Sequence, residues 1–380
     1  MSEELSALGH FSDWVDAAAK IQELGPLARP GRETRDQIRK IIGFTELNTE
    51  VRDVRSERSW QQDDLTGEEI SWSVGYGPRT LAWILKPAGS RARLPGVVAL
   101  HGHDGVKFFG KEKLADDATA APGPIQGLRT ELYGGRAFAN ELAKLGFVVL
   151  VHDVFLWGSR RFPFTAMPGP IRSLVNAWDI AERQRGKIPS ETDRYEVAAK
   201  QHEHVIAKYC TVLGTTLAGV VNFEDRVAIE YLRSRPDVIP GSIASIGLSG
   251  GGCRSALIQA TCEHLTGAVV VGMMSTYHEL LDHHIERHTW MFFPPGLTAF
   301  ADWPDLAASR APAPLLIQYT RGDQLFPLKG MELAHERIAS HYRESGKPDA
   351  YSGRFYDGSH QFSVQMQQEA FAWLRQLLYP

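Results

Sequence analysis

The stretch Ser245-Ile246-Gly247-Leu248-Ser249-Gly250-Gly251-Gly252 constrains this chain most. It places Gly-x-Ser-x-Gly between two different kinds of sequence. Before it, residues 242–248 form a short apolar run opened by the turn pair Pro240-Gly241, which predicts a buried strand. After it, residues 253–264 hold no Gly or Pro and carry Ala256, Leu257 and Ala260, then Leu265, at helical spacing. A serine at such a strand-to-helix corner sits on a sharp, strained turn, with its hydroxyl raised above a parallel sheet. Gly247 and Gly251 lie two residues either side of Ser249, where backbone meets backbone and a Cβ would clash. The loop is not a nucleotide P-loop, because no Lys-Ser/Thr pair closes it, and the Gly-x-Gly-x-x-Gly spacing is also missing. The motif predicts a nucleophilic serine.

The rest of the chain supplies a scaffold for that corner. Residues 10–43 have Trp14, Ala17, Ala18, Ile21 and Leu24 at helical spacing, with a break at Gly31. From residue 51 the period changes to two, and 51–54, 69–74 and 80–85 read as strands meandering at a sheet edge. Strands and helices then alternate. Strands are expected at 96–100, 147–151, 268–272, 314–319 and 352–356, and helices at 136–145, 215–234 and 362–378. Residues 170–212 are polar and helix-prone, without a strand run. Such alternation implies a mostly parallel sheet with right-handed crossovers.

A serine hydroxyl needs a base within reach, and the base needs a carboxylate to fix its tautomer. In the order serine, acid, histidine, the chain offers Asp323 just past the strand 314–319 and His360 just past the strand 352–356. Asp357 is nearer to His360 in sequence but reads as a cap of the final turn. A developing oxyanion needs two donors. The N–H of Gly250 follows the serine directly. The N–H of His103 belongs to the loop Leu100-His101-Gly102-His103-Asp104-Gly105, in which His101 reads as a brace. Among the 14 histidines, His283, His284 and His288 cluster, with His284 and His288 expected on one helix face. The pattern is not His-Glu-x-x-His, and His202-Glu203-His204 places its histidines on diverging helix faces, so no metal site is expected.

Composition narrows the partners. The 380 residues are 43% hydrophobic and carry a formal net charge of −4 without a basic block. Nucleic-acid and anionic-membrane partners are therefore not expected. No apolar stretch approaches the roughly 18 residues of a bilayer span. The acidic start Met1-Ser2-Glu3-Glu4-Leu5 has no signal-like run, and Cys210, Cys253 and Cys262 form no Cys-x-x-Cys. Both features point to a reducing cytoplasm.

The loop 100–105, the elbow 247–251, Asp323 and His360 together resemble the α/β-hydrolase superfamily, and within it the acetyl xylan esterase and dienelactone-hydrolase-like branch. Further matching segments are Phe109-Gly110-Lys111-Glu112-Lys113, residues 153–160, His288-Thr289-Trp290 and Ala313-Pro314-Leu315-Leu316. The resemblance spans residues 70–380. It implies an α/β-hydrolase fold, placed over 51–380; residues 1–50, outside the resemblance, read as a helical extension, and the polar helix-prone stretch reads as an inserted helical segment over about 159–213. The resemblance further implies a serine carboxylic ester hydrolase that forms an acyl-enzyme on a small, short-acyl (acetyl-type) ester and needs no cofactor. His288, Trp290 and Trp157 are expected to line the substrate pocket. Dienelactone hydrolases use a cysteine nucleophile, so Ser249 separates this chain from that activity. Hydrolysis of a carbon–carbon, amide or peptide bond is the alternative, followed by an inactive binding protein on the same fold. The amphipathic N-terminal arm offers an element for a homo-oligomer.

Overall fold

The computed structural model describes residues 4–44 and 47–379. Three antiparallel strands come first: β1 (Arg52–Gln62), β2 (Leu65–Ser73) and β3 (Thr80–Pro87). Asp63 and Asp64 join β1 to β2 with φ of 50° and 61°. Two left-handed residues give the turn whose twist suits a two-residue hairpin. β1 is exposed and carries Arg52, Asp53, Arg55, Glu57 and Arg58. Charges of this kind keep a sheet edge from pairing with other chains.

The remaining strands are β4 (Leu94–Leu100), β5 (Val148–His152), β6 (Val238–Leu248), β7 (Gly267–Val271), β8 (Leu315–Thr320) and β9 (Tyr351–Tyr356). The sheet order is β1-β2-β3-β5-β4-β6-β7-β8-β9. β3 runs antiparallel to β5, and every pairing from β5 to β9 is parallel. Each strand expected from the sequence overlaps an observed one, but β1 runs on to Gln62, well past the expected 51–54, and β2 starts at Leu65 rather than 69. The central strands are covered on both faces, which is why they are continuous apolar runs. Along β4, Val98 and Leu100 enter one core, and Val97 and Ala99 enter the other.

Helices fill both layers. In chain order they are α1 (Asp13–Ala19), α2 (Arg32–Ile42), α3 (Gly123–Leu132), α4 (Phe138–Lys144), α5 (Gly169–Gln184), α6 (Glu191–Val212), α7 (Leu217–Ser234), α8 (Gly250–Thr261), α9 (Trp303–Ala308), α10 (Leu328–Glu344) and α11 (Val364–Leu378). α2, α7, α8 and α9 contribute to the first core, and α4 and α11 to the second. α5 and α6 pair over a small core of their own, built on Ile171, Val175, Tyr195 and Ala198. Ser190 opens α6 with a reciprocal cap to Asp193, which fixes where the helix starts.

Two local expectations are corrected. The run 10–43 is not one helix interrupted at Gly31, because residues 22–31 are irregular between α1 and α2. His284 and His288 do not share an α-helical face. Only a single 3-10 turn, Ile285–Arg287, forms there, and His288 is already extended. Among the described residues, no single helix is long and apolar enough to cross a bilayer.

Candidate active site

β6 delivers Ser249 to the start of α8 at φ 56° and ψ −118°. A non-glycine residue in this region is strained and persists only where its surroundings hold it. The neighbouring glycines make that possible. A Cβ on Gly247 would lie 2.7 Å from the Leu100 carbonyl oxygen, and one on Gly251 would lie 2.9 Å from the Leu100 carbonyl carbon. The Ser249 N–H donates to the Val271 carbonyl at 2.8 Å, and its own carbonyl accepts from the Cys253 N–H at 2.9 Å. Gly250 occupies the first turn of α8, where N–H groups lack intrahelical acceptors.

Asp323 and His360 come together from the ends of β8 and β9. The His360 Nδ1–H donates to Asp323 Oδ2 at 2.6 Å. Asp323 Oδ1 accepts from the Leu325 N–H at 2.8 Å, and its side chain is fully buried. This arrangement fixes the imidazole tautomer and leaves Nε2 with its lone pair. His360 and Ser249 line the same cleft. Asp357, the rival carboxylate, is 96% exposed and paired with Arg321.

The loop after β4 lies against the elbow. A Cβ on Gly250 would sit 2.6 Å from the His103 nitrogen, so the two N–H groups expected to hold an oxyanion belong to touching residues. Buried His101 hydrogen-bonds through Nδ1 to the Gly102 carbonyl at 3.1 Å and packs on Trp157. Burial, with Arg254 and Lys113 nearby, pushes its pKa well below the ordinary value, so the ring is a neutral brace. Fully buried Lys113 donates to the carbonyls of Gly102 at 2.9 Å and His103 at 3.1 Å. On α8, Arg254 donates to the His101 carbonyl at 3.0 Å while gripping Asp225 of α7 with Nε and Nη2.

Glu203 of α6 connects this loop to the segment Thr289-Trp290. It accepts from Lys107, from His103 Nε2 at 3.2 Å, from the Thr289 hydroxyl at 2.6 Å and from the Trp290 N–H at 2.8 Å. Gly105 N–H donates to His103 Nδ1 at 3.1 Å, so the His103 proton is on Nε2, facing Glu203. Burial favours the protonated acid, but His103 and Lys107 outweigh it and hold the carboxyl far below its usual range.

The cleft has a volume of about 640 Å³, a size suited to a small molecule. Val106, Leu128 and Leu132 line it, as do His288, Phe292 and Phe326, whose rings pack on one another. Cys253 and Met273 lie among its lining residues beside Ser249, and both are almost fully buried. Burial pushes His288 down to about 4. Its neutral ring donates Nε2–H to the Leu325 carbonyl at 3.1 Å and packs 4.7 Å from Phe326. Trp290 and Trp157, expected in the pocket, lie outside it. Trp290 is turned to the surface, where its indole N–H donates to His204, and Trp157 is buried behind the rings of His101 and His103. Nor do the clustered histidines converge: His283 bonds Ser6, whereas His288 faces the cleft. Among the described residues, no three His, Cys, Asp or Glu side chains group as metal ligands.

Sequence reasoning missed Lys113, Glu203 and Arg254. The first lies within the segment Phe109–Lys113 that carries the family resemblance, and the second lies within His202-Glu203-His204, read only as a failed metal pattern.

No protein-family model matches the chain. Over 320 residues it is 22% identical to the Bacillus subtilis protein named "Putative hydrolase YtaP", covering 84% of this chain and 90% of that one. A "putative acetyl xylan esterase" of Bacteroides fragilis superposes with a TM-score of 0.63 at 14% identity, covering 91% of this chain and 82% of that one. Acetyl Xylan Esterase 1 of Thermoanaerobacterium gives 0.57 at 15% identity, covering 95% and 98%. With its parallel strands β5 to β9, its elbow after β6 and these structural relatives, the chain has the α/β-hydrolase fold.

Proposed function

We propose that the protein is a serine carboxylic ester hydrolase acting on a small ester with a short, acetyl-type acyl group. The observation that carries this reading is the strained Ser249 at the mouth of α8, facing the same cleft as a His360 already oriented by Asp323. In this scheme His360 Nε2 takes the Ser249 proton as Oγ attacks the ester carbonyl. The N–H groups of Gly250 and His103 hold the oxyanion. His360 then returns the proton to the leaving alcohol, which leaves an acyl-enzyme. Water, deprotonated by His360, clears the acyl group by the same route. Asp323 stays ionised and stabilises the imidazolium.

The short-acyl preference draws support from the tightly buried Cys253, Met273 and Phe292 among the lining residues. It also draws support from the acetyl esterases that share the fold. The test is a panel of p-nitrophenyl esters from acetate to octanoate, with aminoacyl amides and β-diketones alongside. Acetate should be the best substrate, and Ser249→Ala should lower its turnover at least about 10³-fold. Undiminished activity in that variant, or turnover confined to amides or diketones, would overturn the proposal.

A further inference from the structure

The carbonyl side of the oxyanion loop is held by buried cations. His101 O accepts from Arg254, and Gly102 O and His103 O both accept from Lys113. Three successive carbonyls therefore end on one guanidinium and one ammonium. The side chain of Lys113 is completely buried, and its carboxylate partner is Asp104 at 3.2 Å, itself almost fully buried. Packing alone would be served by a methionine. Burying this ammonium is costly and lowers the Lys113 pKa; the Asp104 carboxylate and the two carbonyls it reaches oppose that cost.

The Gly102–His103 peptide is trans, so its C=O and N–H point in opposite directions. Fixing the Gly102 oxygen on Lys113, with His101 Nδ1–H as its second donor, therefore aims the His103 N–H the other way. The contact also polarises the peptide. A cation at the carbonyl oxygen draws electron density through the amide and makes the N–H a better donor, as in any chain of hydrogen bonds in a low-dielectric interior. The His103 nitrogen lies against Gly250, the other expected donor. We propose that Lys113 is a positioning residue that orients and polarises the Gly102–His103 peptide, so that the His103 N–H becomes the stronger oxyanion donor. The inference rests on the esterase reading above and adds to it a charge that never meets the substrate.

The test uses the full chain with Lys113→Met and Lys113→Gln, the latter uncharged but still able to donate. Turnover is read with p-nitrophenyl acetate. The probe for the oxyanion is a trifluoromethyl ketone, which adds to a serine as an anionic hemiketal. Gly-His pairs occur only at Gly9-His10 and Gly102-His103, so a chain carrying carbonyl-¹³C glycine and ¹⁵N histidine gives just two carbonyl–amide NMR correlations. In the wild type, hemiketal formation should move the His103 amide proton downfield. In Lys113→Met, kcat should fall about 10- to 100-fold, less than the loss of a whole oxyanion donor, with KM within about twofold. The Gly102 carbonyl carbon should move upfield, and hemiketal affinity should fall by the same factor as kcat/KM. Lys113→Gln should lie between the two.

Wild-type kcat in both variants, or an unmoved Gly102 carbonyl, would overturn the role of Lys113. A hemiketal that forms in the wild type without moving the His103 amide would instead overturn the oxyanion assignment itself. Should neither variant fold, the wild-type spectrum decides. A Gly102 carbonyl shifted downfield beyond what the one neutral imidazole donor, His101, gives supports the ammonium contact, and a smaller shift refutes it.

Discussion

Glu203 gives a stability prediction that can be worked from its contacts. Its carboxylate is 5% exposed and accepts four hydrogen bonds, from His103 and Lys107 in the segment after β4 and from the segment Thr289-Trp290. Lys107 is equally buried, and its remaining hydrogen bond is to the Ala199 carbonyl at 3.3 Å. Glu203→Leu fills similar space but strands the ammonium, and breaking a buried pair from one side costs about 3–5 kcal/mol. At ~2.1 cal/mol/K per residue, unfolding this chain has an entropy of about 0.8 kcal/mol/K, so Tm should fall by about 4–6 °C. The double variant Lys107→Met/Glu203→Leu removes both charges and should melt above Glu203→Leu alone, with a coupling of about 2 kcal/mol or more. The carboxyl is held far below its usual range when folded, so below about pH 5 the unfolded chain takes up a proton that the native state refuses. Native stability from this group is therefore lost as pH falls, and the Tm gap between wild type and Glu203→Leu should narrow between about pH 5 and pH 3. Circular dichroism melts at both ends of that range measure it. Additive single effects, or a gap that widens in acid, would refute the reasoning.

Three further outcomes are expected. Asp323→Asn should keep the fold but lower kcat by about 10⁴-fold, because the amide no longer enforces the Nδ1–H tautomer of His360; a loss under tenfold in steady-state assays would contradict this. Gly251→Ala should destabilise the protein by more than about 3 kcal/mol in urea melts, because the new methyl meets the Leu100 carbonyl, part of the backbone. His288 stays neutral in the fold to about pH 4, whereas the unfolded ring protonates near pH 6.5, so the wild type should lose about 3 kcal/mol from this residue on going from pH 7 to pH 4. His288→Phe should abolish that increment in pH-dependent urea melts.

The parts of the site written as local patterns were legible in the sequence. The elbow was visible because Gly247, Ser249 and Gly251 are close in the chain and flanked by a strand and a helix. Asp323 was visible because it follows the apolar strand run 314–319, and His360 because it sits in a Gly/Ser turn between the last strand and the last helix. The scaffold behind them was not. Lys113 and Glu203 sit among ordinary charged residues, and only packing makes them buried anchors, Glu203 reaching His103 across 100 residues of chain. The pocket tryptophans failed for a related reason. An aromatic ring serves core, surface or cleft equally well, and its neighbours in sequence do not say which side of the loop it faces. The histidine face at 284–288 failed because periodicity assumes an α-helix, whereas the chain there makes one 3-10 turn before Trp290. Helices α3 and α10 are absent from the sequence reading, although Pro precedes each of them.

Intact-mass and peptide-mapping analysis of the protein treated with a fluorophosphonate tests the nucleophile most directly. A single adduct on Ser249, absent from Ser249→Ala and formed much more slowly in His360→Ala, is the predicted result. A folded wild-type protein that takes up no label, or takes it up at another residue, would contradict the account.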